Sequence, residues 1–250
     1  LAVLLVAFLV PSLVYSFRQT RSLTRPGAWA VLVPYLSFTI LYLFLNTAEI
    51  FSPTPLLAQA FASLCYISSA TVPTWWFLFC LHYAGRKDIV RRISAVLWIV
   101  PIAAIAIVFT NPLHHWHWEL LEFTRIGPFM RMRALSYGAW FWFLASYTVF
   151  LVVSGTVIIL VSMIRRSLSI NRQVLFISSA ALVPIVLNTV YLLALVPAWS
   201  KDYTPIGYGI AGVLFTVGVF HDRLFDVLPL ARRAILEALP DAIFALEGER

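Results

Sequence analysis

The sequence predicts an all-α, polytopic membrane bundle of seven transmembrane helices, with the N-terminus outside and the C-terminus in the cytoplasm. Three observations carry this expectation. The first is composition: 61% of the 250 residues are hydrophobic and 12% are charged, against roughly 45–50% apolar and about 25% charged in a soluble domain. A soluble surface cannot be assembled from so few charges, whereas lipid can solvate an apolar exterior. The second is a series of apolar runs close to the ~20 residues that a helix needs to cross a bilayer. The third is the placement of arginine and lysine, which fall mostly in alternate loops and so orient the chain by the positive-inside rule.

The first run, Leu1 to Phe17, is slightly short. It has no basic segment before it and no small-residue cleavage site after it, so it reads as a span and not as a signal peptide. Opening on Leu1 inside an apolar run, and closing at Glu249-Arg250, the chain reads as a fragment of a longer protein. The second run extends from about Ala28 to Phe44 and on towards Glu49, and the third from about Leu56 to Tyr83. The fourth covers about Ile93 to Phe109, the fifth Leu135 to Ile164, the sixth Val174 to Val196 and the seventh Pro205 to Phe220.

Arg18, Arg21 and Arg25 follow the first run; Arg86, Lys87, Arg91 and Arg92 follow the third. Arg165, Arg166 and Arg172 follow the fifth; Arg223, Arg232 and Arg233 follow the seventh. The opposite side holds Glu49, Lys201, Asp202 and a long connection in which Arg125, Arg131 and Arg133 are partly offset by Glu119 and Glu122. An odd number of crossings follows. The formal charge of +7 is therefore a membrane-orientation signature and not a nucleic-acid footprint. Trp29, Trp75, Trp76, Trp98, Trp140, Trp142 and Trp199 lie within or near run ends, as an interfacial belt or as core packing. Pro11, Pro34, Pro73, Pro101 and Pro184 fall inside runs and predict kinks. Cys65 and Cys80, fifteen positions apart on one expected helix and so roughly 22 Å distant, cannot bridge and read as packing residues.

Candidate binding residues concentrate in the long connection Thr110 to Ala134. His114, His115, Trp116, His117, Trp118 and Glu119 follow Asn111-Pro112-Leu113. Three readings stand side by side. His114, His115 and His117 could ligate a metal, although no standard zinc spacing is present. The segment could lie at the membrane interface, or it could form a polar lid above a ligand pocket, with Trp stacking and His hydrogen bonding. Within the runs, Asn46, Glu49 and Asn188 are the polar residues to note, as interhelical hydrogen-bond partners or as ligand contacts.

Several chemistries lack their residues. Gly207-Tyr208-Gly209-Ile210-Ala211-Gly212 matches a dinucleotide fingerprint as a string, but no strand precedes it. Its small residues suit close helix approach instead. A Schiff-base pump needs a lysine in the last span, and the only lysines are Lys87 and Lys201. Neither paired carboxylates nor a nucleophile–base set appears, so no catalytic residue and no cofactor is expected. A permease-like binding component, or a simple anchor for an output module, remains an alternative to a sensor.

After the seventh run, Leu224, Leu228, Ala231, Ile235 and Leu239 recur at helical spacing, which predicts one apolar helix face continuous with the membrane, with Pro229 suited to a first-turn position and a stop at Pro240. Asp222, Arg223, Leu224, Phe225, Asp226, Arg232 and Arg233 are the candidate signal-transmission residues of this segment. Ala242 to Leu246 reads as a short strand. Here the chain resembles the N-terminal seven-span region of bacterial and archaeal sensor histidine kinases. The resemblance rests on Thr110-Asn111-Pro112-Leu113-His114-His115, on Asp222-Arg223-Leu224-Phe225-Asp226-Val227-Leu228-Pro229 with Ala231-Arg232-Arg233, and on Leu239 to Leu246, which is similar to the opening strand of a PAS domain.

That resemblance implies a sensor domain over 1–220, a signal helix over 221–240 and the start of a PAS-like domain over 241–250. It implies a kinase pair further on, or in some relatives a cyclic-dinucleotide synthase. It also implies a multi-pass protein of a prokaryotic inner or plasma membrane. The expected partners are the lipid bilayer, a small-molecule or membrane-derived stimulus, a second copy through the exit helix and output module, and a response regulator; nucleic acid is not among them.

Overall fold

The computed structural model describes residues 1–21, 26–165, 172–193 and 202–221, and these are mostly helical. Each expected apolar run overlaps helix over most of its length, with the end of the sixth run, 194–196, outside the described residues. The first two are α1 (Ala2–Arg21) and α2 (Pro26–Ile50). The third divides into α3 (Pro55–Ser69) and α4 (Val72–Tyr83), and the fourth into α5 (Lys87–Leu97) and α6 (Ile99–Phe109). A short α7 (Asn111–His114) and two strands precede α8 (Ala139–Arg165), α9 (Arg172–Leu192) and α10 (Thr204–His221). Among the described residues, Leu32–Ile50, Pro55–Tyr83, Lys87–Phe109 and Ala139–Ser162 are long and apolar enough to cross a membrane; Ala2–Ser16, Ser179–Leu192 and Thr204–Val217 are shorter apolar helices.

Burial sorts these helices into centre and wall. Of the most apolar window in Pro55–Tyr83, 72% is buried, against 17% for Lys87–Phe109. The α3–α4 stretch is therefore the middle of the bundle, and α5–α6 is a wall facing outwards. Val96, Ile99 and Ile102 on that wall, like Phe150, Val153 and Val157 on α8, are exposed. In water such faces would aggregate; in hydrocarbon they need no cover. The core is aromatic: Phe215 of α10 meets Phe79 edge-on at 4.6 Å, Trp76 at 5.4 Å and Tyr35 at 5.7 Å. Trp76 thus packs in the core while Trp142 is exposed.

The glycine string on α10 has the packing role that its residues suggest. A methyl group at Gly209 would lie 2.8 Å from Leu5, one at Gly212 3.0 Å from Leu9, and one at Gly207 3.0 Å from the Cα of Pro184. Without side chains at these points α10 seats against α1 and α9. Gly155 does the same for α8, where a methyl would meet Cys80 Sγ at 3.1 Å. Cys65 and Cys80 are free and buried.

Prolines mark the breaks. Pro101 carries no N–H for the Leu97 carbonyl four residues back, and the helix is interrupted between them at Trp98. The Tyr147 hydroxyl of α8 donates to that carbonyl at 2.9 Å. Pro73 stands just beyond the α3–α4 break, whereas Pro11, Pro34 and Pro184 lie within continuous helices.

The all-α expectation needs one correction. The connection after α6 folds as an antiparallel hairpin, β1 (Trp118–Ile126) and β2 (Phe129–Tyr137), with Ile126 opposite Phe129 and Glu122 opposite Arg133. The fifth run, expected from Leu135, starts as helix only at Ala139, because Leu135 to Tyr137 complete β2. The turn explains the fold. Gly127 has φ +60° and Pro128 holds a negative φ, the combination of a two-residue II′ hairpin turn. Leu121, Met132 and Ala134 on one face pack near Trp118, Ala62 and Val108, so the hairpin lies across the helix ends.

Replacing Tyr147 with Phe would leave the Leu97 carbonyl without its donor in an apolar surrounding. A loss of about 1–2 kcal/mol is expected, read as a lower unfolding midpoint in mild detergent; an unchanged midpoint would show that water or lipid headgroups satisfy the carbonyl.

Candidate ligand site beneath the hairpin

The segment leading into β1 is held by Asn111, whose side chain is buried. Its Oδ1 accepts from the backbone N–H of His117 at 2.9 Å and of Trp118 at 3.1 Å, and its Nδ2 donates to the Trp118 carbonyl at 3.0 Å. Three backbone groups are satisfied by one side chain. The far end is fixed by Gly138, where any Cβ would sit 2.1 Å from the Trp116 carbonyl oxygen. That approach lets Trp140 N–H donate to Trp116 and Gly138 N–H to His117. The hairpin is thus tied to the start of α8.

The residues singled out in this segment diverge. His114 Nδ1 accepts from the Trp116 N–H at 3.0 Å, while its Nε2 lies 3.1 Å from the Thr110 hydroxyl. That hydroxyl donates to the Ala106 carbonyl, so both ring nitrogens of His114 serve contacts within the loop. His115 ends α7 in the left-handed conformation, with φ 56°. Trp116 is exposed, and its ring lies 4.9 Å from that of His114. Glu119 accepts from the Ser136 hydroxyl across the hairpin. His117 points inwards and is fully buried, edge-on to Tyr66 at 4.5 Å and 5.5 Å from Phe141. Neither of its ring nitrogens has a hydrogen-bond partner, and burial lowers its pKa to about 3. Among the described residues no group of three His, Cys, Asp or Glu side chains is placed to hold a metal ion.

Four of the candidates do come together around two adjoining cavities, of about 110 and 90 Å³. Trp118, Asn46 and Glu49 line the smaller, roofed by Met132, Ala134 and Tyr137 of the hairpin. Asn188 lines the larger, between α8, α9 and α10. Tyr42, Tyr66 and Asp202 belong to both. Asp222, Arg223, Leu224, Phe225, Asp226, Arg232 and Arg233 lie outside the described residues.

Sequence reasoning missed the side chains that dominate these walls: Tyr42, Tyr66, Tyr137, Tyr191, Tyr208 and Asp202. They are spread over five elements and the approach to α10, so no spacing announces them. Tyr137 donates to the Tyr191 hydroxyl at 3.2 Å and stacks on Phe141 at 3.8 Å. Burial, and then the Tyr191 phenol beside it, raise the Tyr137 pKa well above the usual phenol range. Asp202 accepts from the Thr204 N–H at 2.8 Å and from the Thr204 hydroxyl. It therefore caps the N-terminus of α10, where a carboxylate is favoured by the helix dipole.

The Thr204 hydroxyl gives its proton to that carboxylate and so must accept from Asn188 Nδ2, 3.1 Å away. The relay fixes the Asn188 amide and leaves its Oδ1 as an acceptor on the cavity wall. Aromatic rings, hydrogen-bond acceptors and carboxylates thus line the two cavities, with Asp202 and Thr204 at the first turn of α10.

The sequence model of the family described as the N-terminal 7TM region of histidine kinase matches residues 1–229. The match spans every element that lines the two cavities. No curated protein matches the chain.

His117 carries a pH prediction. Its folded pKa is about 3, below the 6.5 of a free histidine, so the unfolded chain takes up the proton first as pH falls. The His117 contribution is full above pH ~6.5 and is lost at about 1.4 kcal/mol per pH unit between there and pH ~3. Comparison of wild type with His117→Phe by chemical unfolding across this range should give that slope as the difference. Parallel curves would mean that the buried ring reaches a proton acceptor when charged.

Proposed function

The chain belongs to the family of N-terminal seven-transmembrane regions of histidine kinases, and from that premise we propose that it is the membrane-embedded input region of a signal-transducing kinase. In this reading the three shorter apolar helices also cross the bilayer. The hairpin then lies outside, and the loops rich in arginine lie in the cytoplasm, where anionic lipid and the insertion bias favour them. Residues 1–220 form the sensor, 221–240 the signal helix and 241–250 the beginning of a PAS-like module. Two copies meet through the signal helix and the output module, in a prokaryotic inner or plasma membrane, and a response regulator receives the phosphoryl group.

One observation carries the proposal: the larger cavity is walled by α8, by α9 and by the capped start of α10, and α10 is the described element that directly precedes residues 222–241 in the sequence. A ligand touching Asn188, Thr204 or Tyr208 therefore touches the element that leaves the membrane. Only a ligand with different affinities for two seatings of α10 would transmit anything. The glycine contacts with α1 and α9 supply two close-packed faces against which such seatings could differ, since packed interfaces favour discrete arrangements over continuous deformation.

The route is tested without knowing the stimulus. In the complete protein, Tyr208→Trp should reseat α10 and change basal autophosphorylation by about fivefold or more, the lower range of ordinary couplings. A Gly-Pro insertion beside Arg232 should abolish that difference while membrane insertion is unaffected. If the Tyr208→Trp effect persists through the insertion, the signal does not travel by the exit helix. Orientation has its own check: a cysteine at Gly127 should react with an impermeant thiol reagent added to intact cells, and labelling only after lysis would reverse the topology.

A further inference from the structure

Three phenol groups line the adjoining cavities with nothing to bond. Tyr42 and Tyr66 belong to both cavities and Tyr208 to the larger. Tyr137 and Tyr147 give their hydroxyl protons to Tyr191 and to the Leu97 carbonyl. Among the described residues, no group hydrogen-bonds the hydroxyl of Tyr42, Tyr66 or Tyr208. Tyr42 and Tyr208 are only 7% and 6% exposed, so these are interior side chains. Their oxygens are still not sealed in the packing as Ser68 Oγ and Thr74 Oγ1 are; they keep accessible surface, and both residues meet open space in the cavity. A buried hydroxyl is costly to leave unpaired. Three of them around one space call for an occupant. The amide donors on the same walls are taken, Asn46 Nδ2 by Glu49 and Asn188 Nδ2 by Thr204.

We propose that the adjoining cavities are a binding site for a small, neutral aromatic carbonyl compound, held by the hydroxyls of Tyr42, Tyr66 and Tyr208. The acceptor follows from the phenols. The lone pairs of a phenol oxygen are partly drawn into its ring, so the O–H is its stronger half, and a carbonyl oxygen with two lone pairs has room for more than one such donor. An ammonium head has donors and no acceptor, which leaves every phenol proton unused. An anionic acceptor finds no lysine, arginine or histidine among the lining residues, and so loses its water without touching a cation. The aromatic body follows from the rings of Tyr42, Tyr66, Phe141 and Tyr208 around the larger cavity, which suit edge and face contacts. Ser69 and Thr148 add two further hydroxyls there. The inference names a ligand class for the input role proposed above, and it rests on that reading only for its effect on the kinase.

The complete protein in mild detergent is titrated with acetophenone, ethylbenzene, benzoate and benzylamine, with binding read from the shift in unfolding midpoint. Acetophenone is expected to bind about tenfold more tightly than ethylbenzene, which keeps the ring and the two-carbon branch but has no acceptor, and more tightly than either ion. Tyr42→Phe, Tyr66→Phe and Tyr208→Phe keep the rings and delete only hydroxyls that bond nothing in the protein. At least one should bring acetophenone down to ethylbenzene while ethylbenzene itself is unchanged; a merely structural role would move both ligands together. The same variant should raise the carbonyl stretch of bound acetophenone, which hydrogen bonding lowers. Equal binding of acetophenone and ethylbenzene, or a preference for acetophenone that survives all three substitutions, would mean that water alone occupies the hydroxyls and would overturn the proposal. Tighter binding of benzylamine or benzoate would overturn it as well, by giving the site a charged ligand. Acetophenone binding that leaves autophosphorylation unchanged would uphold the site and count against the input role. Loss of the site alone leaves that role standing on the Arg232 insertion.

Discussion

A backbone that crosses hydrocarbon has to satisfy its own N–H and C=O groups, since lipid offers no partner. The irregular places in this molecule answer to that constraint. Where Pro101 withdraws a donor, Tyr147 reaches over from another helix to the stranded Leu97 carbonyl. The chain reverses between α6 and α8 as a hairpin whose two strands satisfy each other, introduced by Asn111 pairing with the backbone of His117 and Trp118. Tyr147 makes its repair from a helix 50 positions along the chain, whereas Asn111 acts on the residues that directly follow its own short helix. The helices are thereby held to one another by polar links as well as by packing, which matters in a medium where apolar contact alone gives little preference for one neighbour over another.

The same requirement shapes the cavity. Pairing lowers the cost of a polar group in an apolar surrounding, and the Asn188–Thr204–Asp202 relay is such a pairing. It joins α9 to the cap of α10, so a molecule that competes for any member acts on both helices. Glycines place α10 against its neighbours closely enough for small displacements to register, because a shift of one helix changes contacts with Leu5, Leu9 and Pro184 together. In the proposed reading, binding and transmission share residues instead of being linked by a remote pathway.

Much of the helical architecture was legible because hydrophobic length is a local property. Apolar runs became helices, and the spacing of Gly207, Gly209 and Gly212 became a close-packed face. The hairpin was not legible, and the reason is physical. Strand alternation is the signal for a sheet, and Leu120-Leu121 interrupts it where the register shifts between those two residues. The remaining signal was Gly127-Pro128, a turn pair overshadowed by the histidines before it. Of those histidines, His114 and His117 turned out to serve the loop and the interior respectively. Asn46, Glu49, Trp118 and Asn188 reached the cavities, but the tyrosines that define the walls did not stand out. A tyrosine in an apolar helix looks the same in sequence whether it faces lipid, core or ligand.

The central position of α4 has a consequence for biogenesis. Trp76 bonds to the backbone of Val152, 76 positions later, so the innermost segment is made well before the helix that covers it. At ordinary translation speeds of about 5–20 residues per second, α4 waits roughly 4–15 s in the membrane beside provisional neighbours. Its indole and hydroxyl groups must be sheltered during that interval by the insertion machinery or by the earlier helices, and a slow-translating stretch between the two would lengthen the exposure.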